Sequence, residues 1–448
     1  MCGITGILRF TNFVSEQEIK DFTDSLKHRG PDGAGYKVFE TGYIALGHRR
    51  LSILDLSDAG HQPMSYGNGR YWITFNGEIY NFIEVRKDLE KLGHKFKSDS
   101  DTEVVLAAYV QWGKSCFRRF NGMWAIGIYD SHEQELMLCR DRFGVKPLHY
   151  TLVEGELFAF ASETVAFRYL KNFNRRFDHD NLLRAMHRHN VLEPAGETIY
   201  KGIKQLLPGS MLIIRKNGNL VTERWWQTFH NLPSIPDNFE DQKEMFLEIF
   251  ADACRLRLRS DVPVASALSG GIDSTAVYSM LSHVMKSSPC TRVPENWQRT
   301  FSIVFPGSEV DERAYIESVL LQAKVNGIIV SADDSGIVSE LEQSTEMADF
   351  ISGTPLPCLT YVYKAMHANG IVVSIDGHGV DEYLYGYRSS VIAALTEAFI
   401  NGNKKRAAEI EQTLIDMSFP GRGKYFVEKA RTHAISTVSY THLRAHET

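Results

Sequence analysis

Two rhythms of apolar residues divide this chain. In the first half, β-branched and aromatic residues come in short runs at 43–54, 70–80, 123–129, 135–138 and 211–214, punctuated by Gly, Asn and Asp. Runs of this kind predict strands. Helical spacing interrupts them at 83–92 and at 102–112, where Val105, Ala108 and Tyr109 share a face. Strands with few helices predict layered sheets covered by helices. Between Trp225 and Asp241 the pattern turns irregular around Pro233 and Pro236, which marks a linker. Strict alternation follows. Phe246, Ile249, Phe250 and Ala253 define a helix face; strands are expected at 262–268, 301–305, 328–330 and 371–375, and helices at 274–285, 313–324, 337–347 and 359–368. That alternation predicts an α/β domain with a doubly wound parallel sheet. The expected organisation is an α+β domain over 2–210, a strand and linker over 211–240, and the α/β domain over 241–437.

Composition narrows the classes. At 448 residues and 43% hydrophobic content, each of two or three domains can bury a core. The 49 basic and 55 acidic residues give a net charge of -6 and form no basic stripe, which argues against nucleic acid; Lys404-Lys405-Arg406 reads as a solvated helix face. The six cysteines are dispersed with no Cys-x-x-Cys, so neither a zinc knuckle nor a dithiol pair is expected, and a reducing cytoplasm is. No run has the roughly 18 apolar residues of a membrane helix, and the start lacks the basic and apolar regions of a signal peptide.

Position 2 brings in chemistry. Removal of the initiator Met would leave Cys2 with a thiol and a free α-amine, nucleophile and base in one residue; alone, it could equally be an incidental cysteine. Asn76 and Gly77 can supply a side-chain amide and a backbone N–H to an oxyanion, or form a simple turn after the strand. Arg50 can clamp a carboxylate through its fork, or be a surface arginine. Asp101 can pair with an ammonium, cap the helix beginning at Thr102, or both.

Further on, Ser269-Gly270-Gly271-Ile272-Asp273-Ser274 stands between an apolar strand and a helix. Its glycines let backbone N–H groups approach an anion at the helix N-terminus, Ser269 and Ser274 add hydroxyls, and Asp273 can hold Mg²⁺ against phosphates. With no lysine, it is not a Walker loop. A second loop, Asp376-Gly377-His378-Gly379-Val380-Asp381-Glu382, follows the strand at 371–375; Asp381 is the expected second magnesium or pyrophosphate contact.

Six ordered motifs carry a family resemblance: Met-Cys-Gly-Ile-x-Gly at the start, His28-Arg29-Gly30-Pro31-Asp32-Gly33, Arg50-Leu51-Ser52-Ile53, Phe75-Asn76-Gly77-Glu78-Ile79-Tyr80-Asn81, Ser100-Asp101-Thr102-Glu103, and Asp141-Arg142-Phe143-Gly144-Val145-Lys146-Pro147-Leu148. Together they resemble the class II glutamine amidotransferase domain, an N-terminal-nucleophile αββα fold. The Ser-Gly-Gly loop resembles the pyrophosphate loop of the ATP pyrophosphatase superfamily, and the pair of domains resembles the glutamine-hydrolysing asparagine synthetase family. The resemblance implies that Cys2 attacks the glutamine amide while Asn76 and Gly77 stabilise the oxyanion. Arg50, Leu51, Ser52, Ile53 and Leu54, with Asn76, Gly77, Glu78 and Asp101, would bind glutamine. ATP would lie against Leu268, Ser269, Gly270, Gly271, Asp273, Ser274, Ile303, Asp376 and Gly377. Mg²⁺ would sit between Asp273 and Asp381, and His378 and Asp381 would belong to the adenylation site. Ammonia would cross an interior channel and amidate a carboxylate, with aspartate the expected acceptor, giving the amide, AMP and pyrophosphate. The implied partners are small molecules, with neither nucleic acid nor membrane; a homodimer stays open.

The chain departs from the family's pattern in four places. Asp376 and His378 replace a Ser and a Glu, Leu384-Tyr385-Gly386-Tyr387 replaces a glycine pair, and Ser162-Glu163-Thr164-Val165 replaces Ser-Glu-Met-Lys. His378 opens a second reading, an amidotransferase acting on another carboxylate, such as that of a cell-surface sugar or a peptide. A non-catalytic binding protein of the same fold is the reading from another class, and a glutaminase assay separates them. The family's later Glu-x-Arg-x-Pro-Phe-Leu-Asp segment and synthetase lysine have no counterpart. Residues 241–437 are therefore expected to be an incomplete synthetase domain, and 438–448 an artefactual tail.

Overall fold

In chain order the strands of the first region are β1 (Gly3–Arg9), β2 (Gly33–Val38), β3 (Ile44–Arg50), β4 (Met64–Tyr66), β5 (Tyr71–Ile79) and β6 (Gly122–Asp130). They continue as β7 (Glu135–Arg140), β8 (His149–Val153), β9 (Leu157–Ala161), β10 (Ile203–Gln205), β11 (Ser210–Arg215) and β12 (Leu220–Arg224). The computed structural model describes every residue except 189, 288–289, 333–335, 348–356, 385, 417–422 and 446–448. Two antiparallel six-stranded sheets form, ordered β10-β8-β9-β1-β3-β2 and β12-β11-β7-β6-β5-β4. Their facing sides share one core, in which Ile4, Leu46, Phe158 and Phe160 meet Ala125, Leu138 and Leu212.

Helices cover the outer faces. Helix α1 (Glu16–Asp24) closes the first sheet through Ile19 and Phe22. Helices α2 (Phe82–Lys91) and α3 (Asp101–Trp112) close the second around Phe75, Trp124 and Ile126. The layer order helix, sheet, sheet, helix is the expected αββα arrangement, and helix α4 (His179–His187) lies beyond it.

Some expectations change. The run 43–54 is strand only to Arg50, because the backbone beyond bonds to side chains instead of a ladder: Ser52 N–H donates to Asp32 (2.8 Å), and Ser57 N–H to Asp55 (3.1 Å). Strands β1 and β9 are buried at every residue, which erases the alternation that would mark them. Helix α3 has no single apolar face over its first two turns, where residues 101–108 are all buried. Asn76 and Gly77 lie inside β5, paired with Ala125 and Trp124 of β6, not in a turn. Ser100, not Asp101, caps α3, its hydroxyl accepting the Thr102 N–H at 3.2 Å.

The second region alternates as expected: α5 (Phe239–Arg257), β13 (Val264–Ala267), α6 (Ile272–Ser287), β14 (Arg299–Val304), α7 (Arg313–Ala323), β15 (Gly327–Ser331), α8 (Ile337–Met347), α9 (Pro357–Ala368) and β16 (Val373–Ser374). The strands form one parallel sheet ordered β15-β14-β13-β16, whose order reverses beside β13. Helices α10 (Val380–Leu384), α11 (Arg388–Ile400), α12 (Lys404–Asp416) and α13 (Gly423–Ala445) follow. Residues 438–445 of the expected tail continue α13, while 446–448, like Tyr385, lie outside the described residues. No helix among the described residues is long and apolar enough to cross a membrane.

Candidate active site

The start of β1, the end of β3 and the middle of β5 converge on a cavity of about 60 Å³. Cys2 stands at its edge. Its thiol donates to the Leu51 carbonyl (3.5 Å), and the Leu51 N–H points back at Sγ (3.4 Å). The Cys2 carbonyl is fixed by Arg29 Nε (2.9 Å), and Arg29 is held in turn by Glu163 (2.5 Å). Burial pushes the Cys2 thiol up and the Met1 α-amine down to about 6. The thiol therefore needs a base; burial also disfavours charge on the chain's terminal amine at this site.

Strand β5 presents two donors to the same space. Asn76 is 1% exposed, and its buried Nδ2 has no hydrogen-bond partner among the described residues. An orphaned buried amide is costly unless something outside the fold accepts from it. Along the edge turned from β6, Phe75 N–H donates to Gln62 (2.7 Å) and Ile79 N–H to Asp101 (2.9 Å). Gly77 is in phase with both, so its N–H faces the same way. A Cβ at Gly77 would lie 2.2 Å from the Met123 carbonyl, so only glycine fits between the strands.

Charged groups complete the wall. The Arg50 fork donates to the backbone carbonyls of Ser57 (2.7 Å) and Asp55. Burial, reinforced by the Asp101 charge, pushes Glu78 up to about 8, and burial raises Asp101 to about 6. Of the predicted glutamine contacts, Arg50, Leu51, Ile53, Leu54, Asn76, Gly77, Glu78 and Asp101 line the cavity; Ser52 does not. Sequence reasoning missed His48, Gln62 and Lys146 on this wall. Lys146 shares the Asp141 to Leu148 motif, and its backbone N–H (3.0 Å) and those of Phe143 (3.1 Å) and Val145 (3.0 Å) all bond to the buried Asp141 carboxylate, which folds the motif so that Lys146 reaches the wall.

A second cavity, about 320 Å³, opens at the carboxyl ends of β13, β14 and β16, where the strand order reverses. Leu268, Ser269, Asp273, Ser274, Ile303, Gly377, His378 and Asp381 line it. The Ser269 and Ser274 hydroxyls bond each other (3.0 Å), and Ser274 Oγ accepts the Ser269 N–H (3.1 Å), which sets the loop before α6. Gly377 packs so closely on that helix start that a Cβ would lie 2.6 Å from Ser274 N. Gly270, at φ +77, and Gly271 belong to the same loop but are not among the lining residues.

Asp376 is turned away. Its carboxylate accepts from Ala267 N–H (2.8 Å), Tyr363 hydroxyl (2.8 Å) and Ser374 hydroxyl, tying β16 to β13. Burial and the facing carboxylates of Asp381 and Glu382 raise Asp273, so a cation fits between them electrostatically. No three His, Cys, Asp or Glu side chains among the described residues form a ready-made metal cage. Magnesium in nucleotide sites needs only one or two carboxylates, because phosphates and water supply the rest.

Comparison with known proteins covers both regions. The family profile described as a glutamine amidotransferase domain matches residues 1–226, and that described as asparagine synthase matches residues 245–435. The chain is 31% identical over 442 residues to asparagine synthetase (glutamine-hydrolysing) 1 of Bacillus subtilis, covering 96% of this chain and 66% of that protein. It is 32% identical to putative asparagine synthetase (glutamine-hydrolysing) 2 of Methanocaldococcus jannaschii over 86% of this chain and 76% of that one. It is also 32% identical to amidase chry2 of Gibberella zeae, over 85% and 57% respectively. The chain thus spans under two thirds of the Bacillus and Gibberella proteins.

Proposed function

Because the chain belongs to the glutamine-hydrolysing asparagine synthetase family, we propose that its first cavity releases ammonia from glutamine and its second, with ATP, activates a carboxylate to receive it. With Met1 removed, the α-amine of Cys2 takes the thiol proton, and Sγ attacks the amide carbon of glutamine. Asn76 Nδ2 and Gly77 N–H hold the oxygen that becomes negative. The proton passes to the departing ammonia, and water cleaves the thioester to give glutamate. Arg50 faces the substrate carboxylate, while Glu78 and Asp101 face its ammonium. The observation that carries this reading is the orphaned Nδ2 of Asn76 beside the Cys2 thiol.

In the second cavity the family uses ATP, and the Ser269 to Ser274 loop at the start of α6 offers N–H groups to its phosphates. Mg²⁺ would be held by Asp273 and Asp381, and when bound it neutralises phosphate charge. The expected acceptor is aspartate, giving asparagine, AMP and pyrophosphate. A second acceptor, another carboxylate such as that of a cell-surface sugar or a peptide, is favoured by His378 in the lining and by the amidase-named relative. The test is to supply glutamine, MgATP and aspartate and to measure glutamate, pyrophosphate and asparagine separately. Glutamate without any dependence on Cys2 would sink the first half. Pyrophosphate that ignores aspartate but follows another carboxylate would replace the acceptor.

A further inference from the structure

The loop that lines the first cavity is held from outside its own domain. Asp261, in the turn between α5 and β13, clasps residues 53–55 at two points. Its N–H donates to the Ile53 carbonyl (3.0 Å), and its Oδ2 accepts the Asp55 N–H (2.7 Å). Arg292 locks that clasp with both arms of its fork: Nε donates to Asp261 Oδ1 (2.5 Å) and Nη2 to Oδ2. Its third arm, Nη1, donates to the Asp99 carbonyl (2.8 Å), two residues before Asp101. Arg292 has φ +61, a backbone state unfavourable for a side-chain-bearing residue, and Ser260 N–H holds its carbonyl at 2.8 Å.

Asp55 relays the hold. Its carboxylate accepts the Asp99 N–H (2.9 Å), the Ser57 N–H (3.1 Å) and the Ser57 hydroxyl (2.5 Å). The carbonyls of Asp55 and Ser57 in turn receive the Arg50 fork. Three links therefore connect Arg292 to Arg50: Asp261, the Asp55 backbone and the Ser57 turn. We infer that Asp261 and Arg292, both carried by the ATP-binding region, are positioning residues for glutamine that set the angle and depth of Arg50 in the first cavity. This rests on reading that cavity as the glutamine site. Simple adhesion between the regions is served elsewhere, by Arg259, which pairs with Glu84 (2.6 Å) and donates to the Tyr80 carbonyl (2.6 Å).

The full chain is assayed for glutamate release over a range of glutamine concentrations. Arg292→Ala and the isosteric Asp261→Asn should each raise KM for glutamine about tenfold with kcat within a few-fold, because the clamp is displaced while Cys2 and its donors are not. Arg292→Lys keeps the charge, loses the fork, and should fall between. Glu84→Gln loosens the other interdomain pair and should leave KM within about twofold. Unchanged KM in Arg292→Ala and Asp261→Asn overturns the inference, as does an equal rise in Glu84→Gln. A wild-type chain with no Cys2-dependent hydrolysis overturns the reading of the cavity itself.

Discussion

Four polar groups of the first cavity are packed into regular structure, Asn76 and Glu78 within β5, Asp101 in the first turn of α3 and His48 within β3, while Gln62 and Lys146 reach it from loops. In the second, His378 and Glu382 stand exposed on the segment after β16. The oxyanion-facing donors of the first site belong to a sheet core; the second site collects loops and helix starts at the ends of parallel strands. Rigid donors aimed at one atom suit stabilisation of a developing charge. Open loops at strand ends suit a large, multiply charged ligand whose binding finishes the site.

Substitutions that separate the two cavities test that contrast. Cys2→Ala should cut glutamine hydrolysis by about a thousandfold or more, with ATP affinity by calorimetry unchanged; retained hydrolysis would remove Cys2 from the chemistry. Asn76→Ala should lower kcat for glutamine by about 100-fold or more with a small change in KM. A loss confined to KM would make Asn76 a binding residue only. On the other side, Gly377→Ala should weaken ATP binding by about tenfold, since the new Cβ must push the α6 start away, and should leave glutamate release intact. Arg50→Lys should raise KM for glutamine by about tenfold and leave ATP affinity alone; an unchanged KM would mean its fork serves only the loop carbonyls.

The smallest effect is a pH dependence. Burial, with the Asp101 charge, pushes Glu78 up to about 8, while the ammonium of a bound glutamine would favour the carboxylate. Binding should expel the Glu78 proton, so KM should fall a few-fold as pH rises from about 6 to 8. The stability sign is opposite. A carboxyl raised by folding contributes fully below its ordinary range, and that contribution drains as pH climbs towards about 8. A KM flat across this window would show that Glu78 does not meet the ammonium.

The sequence was readable where pattern and chemistry coincided. β5 carries both alternation and the Asn76-Gly77-Glu78 string, and β13 leads directly into the Ser-Gly-Gly loop, so each region's layers and the cores of both cavities could be read. What stayed hidden was set by long-range contact. Strands β1 and β9 are buried throughout and lose their period. The turning away of Asp376 depends on Tyr363 and Ala267. The ties of Arg292 and Asp261 to Asp99 and Asp55 span 193 and 206 residues, which no local window contains.

The Asp55–Asp261 clasp also bears on how such enzymes can be recombined. A chimaera cut between residues 226 and 238, ahead of α5, looks safe because it falls between the two matched family domains. The clasp, however, lies just beyond the cut and reaches back across it. If Asp261 and Arg292 set Arg50 as inferred, a donor second half without an acidic residue at 261 and a guanidinium at 292 should leave glutamate release with a raised KM for glutamine. Moving the junction past residue 292 would keep the pair with its loop, but would exchange the phosphate loop's neighbours instead. The usable breakpoints are thus set by side-chain bonds, not by the apparent gap between domains.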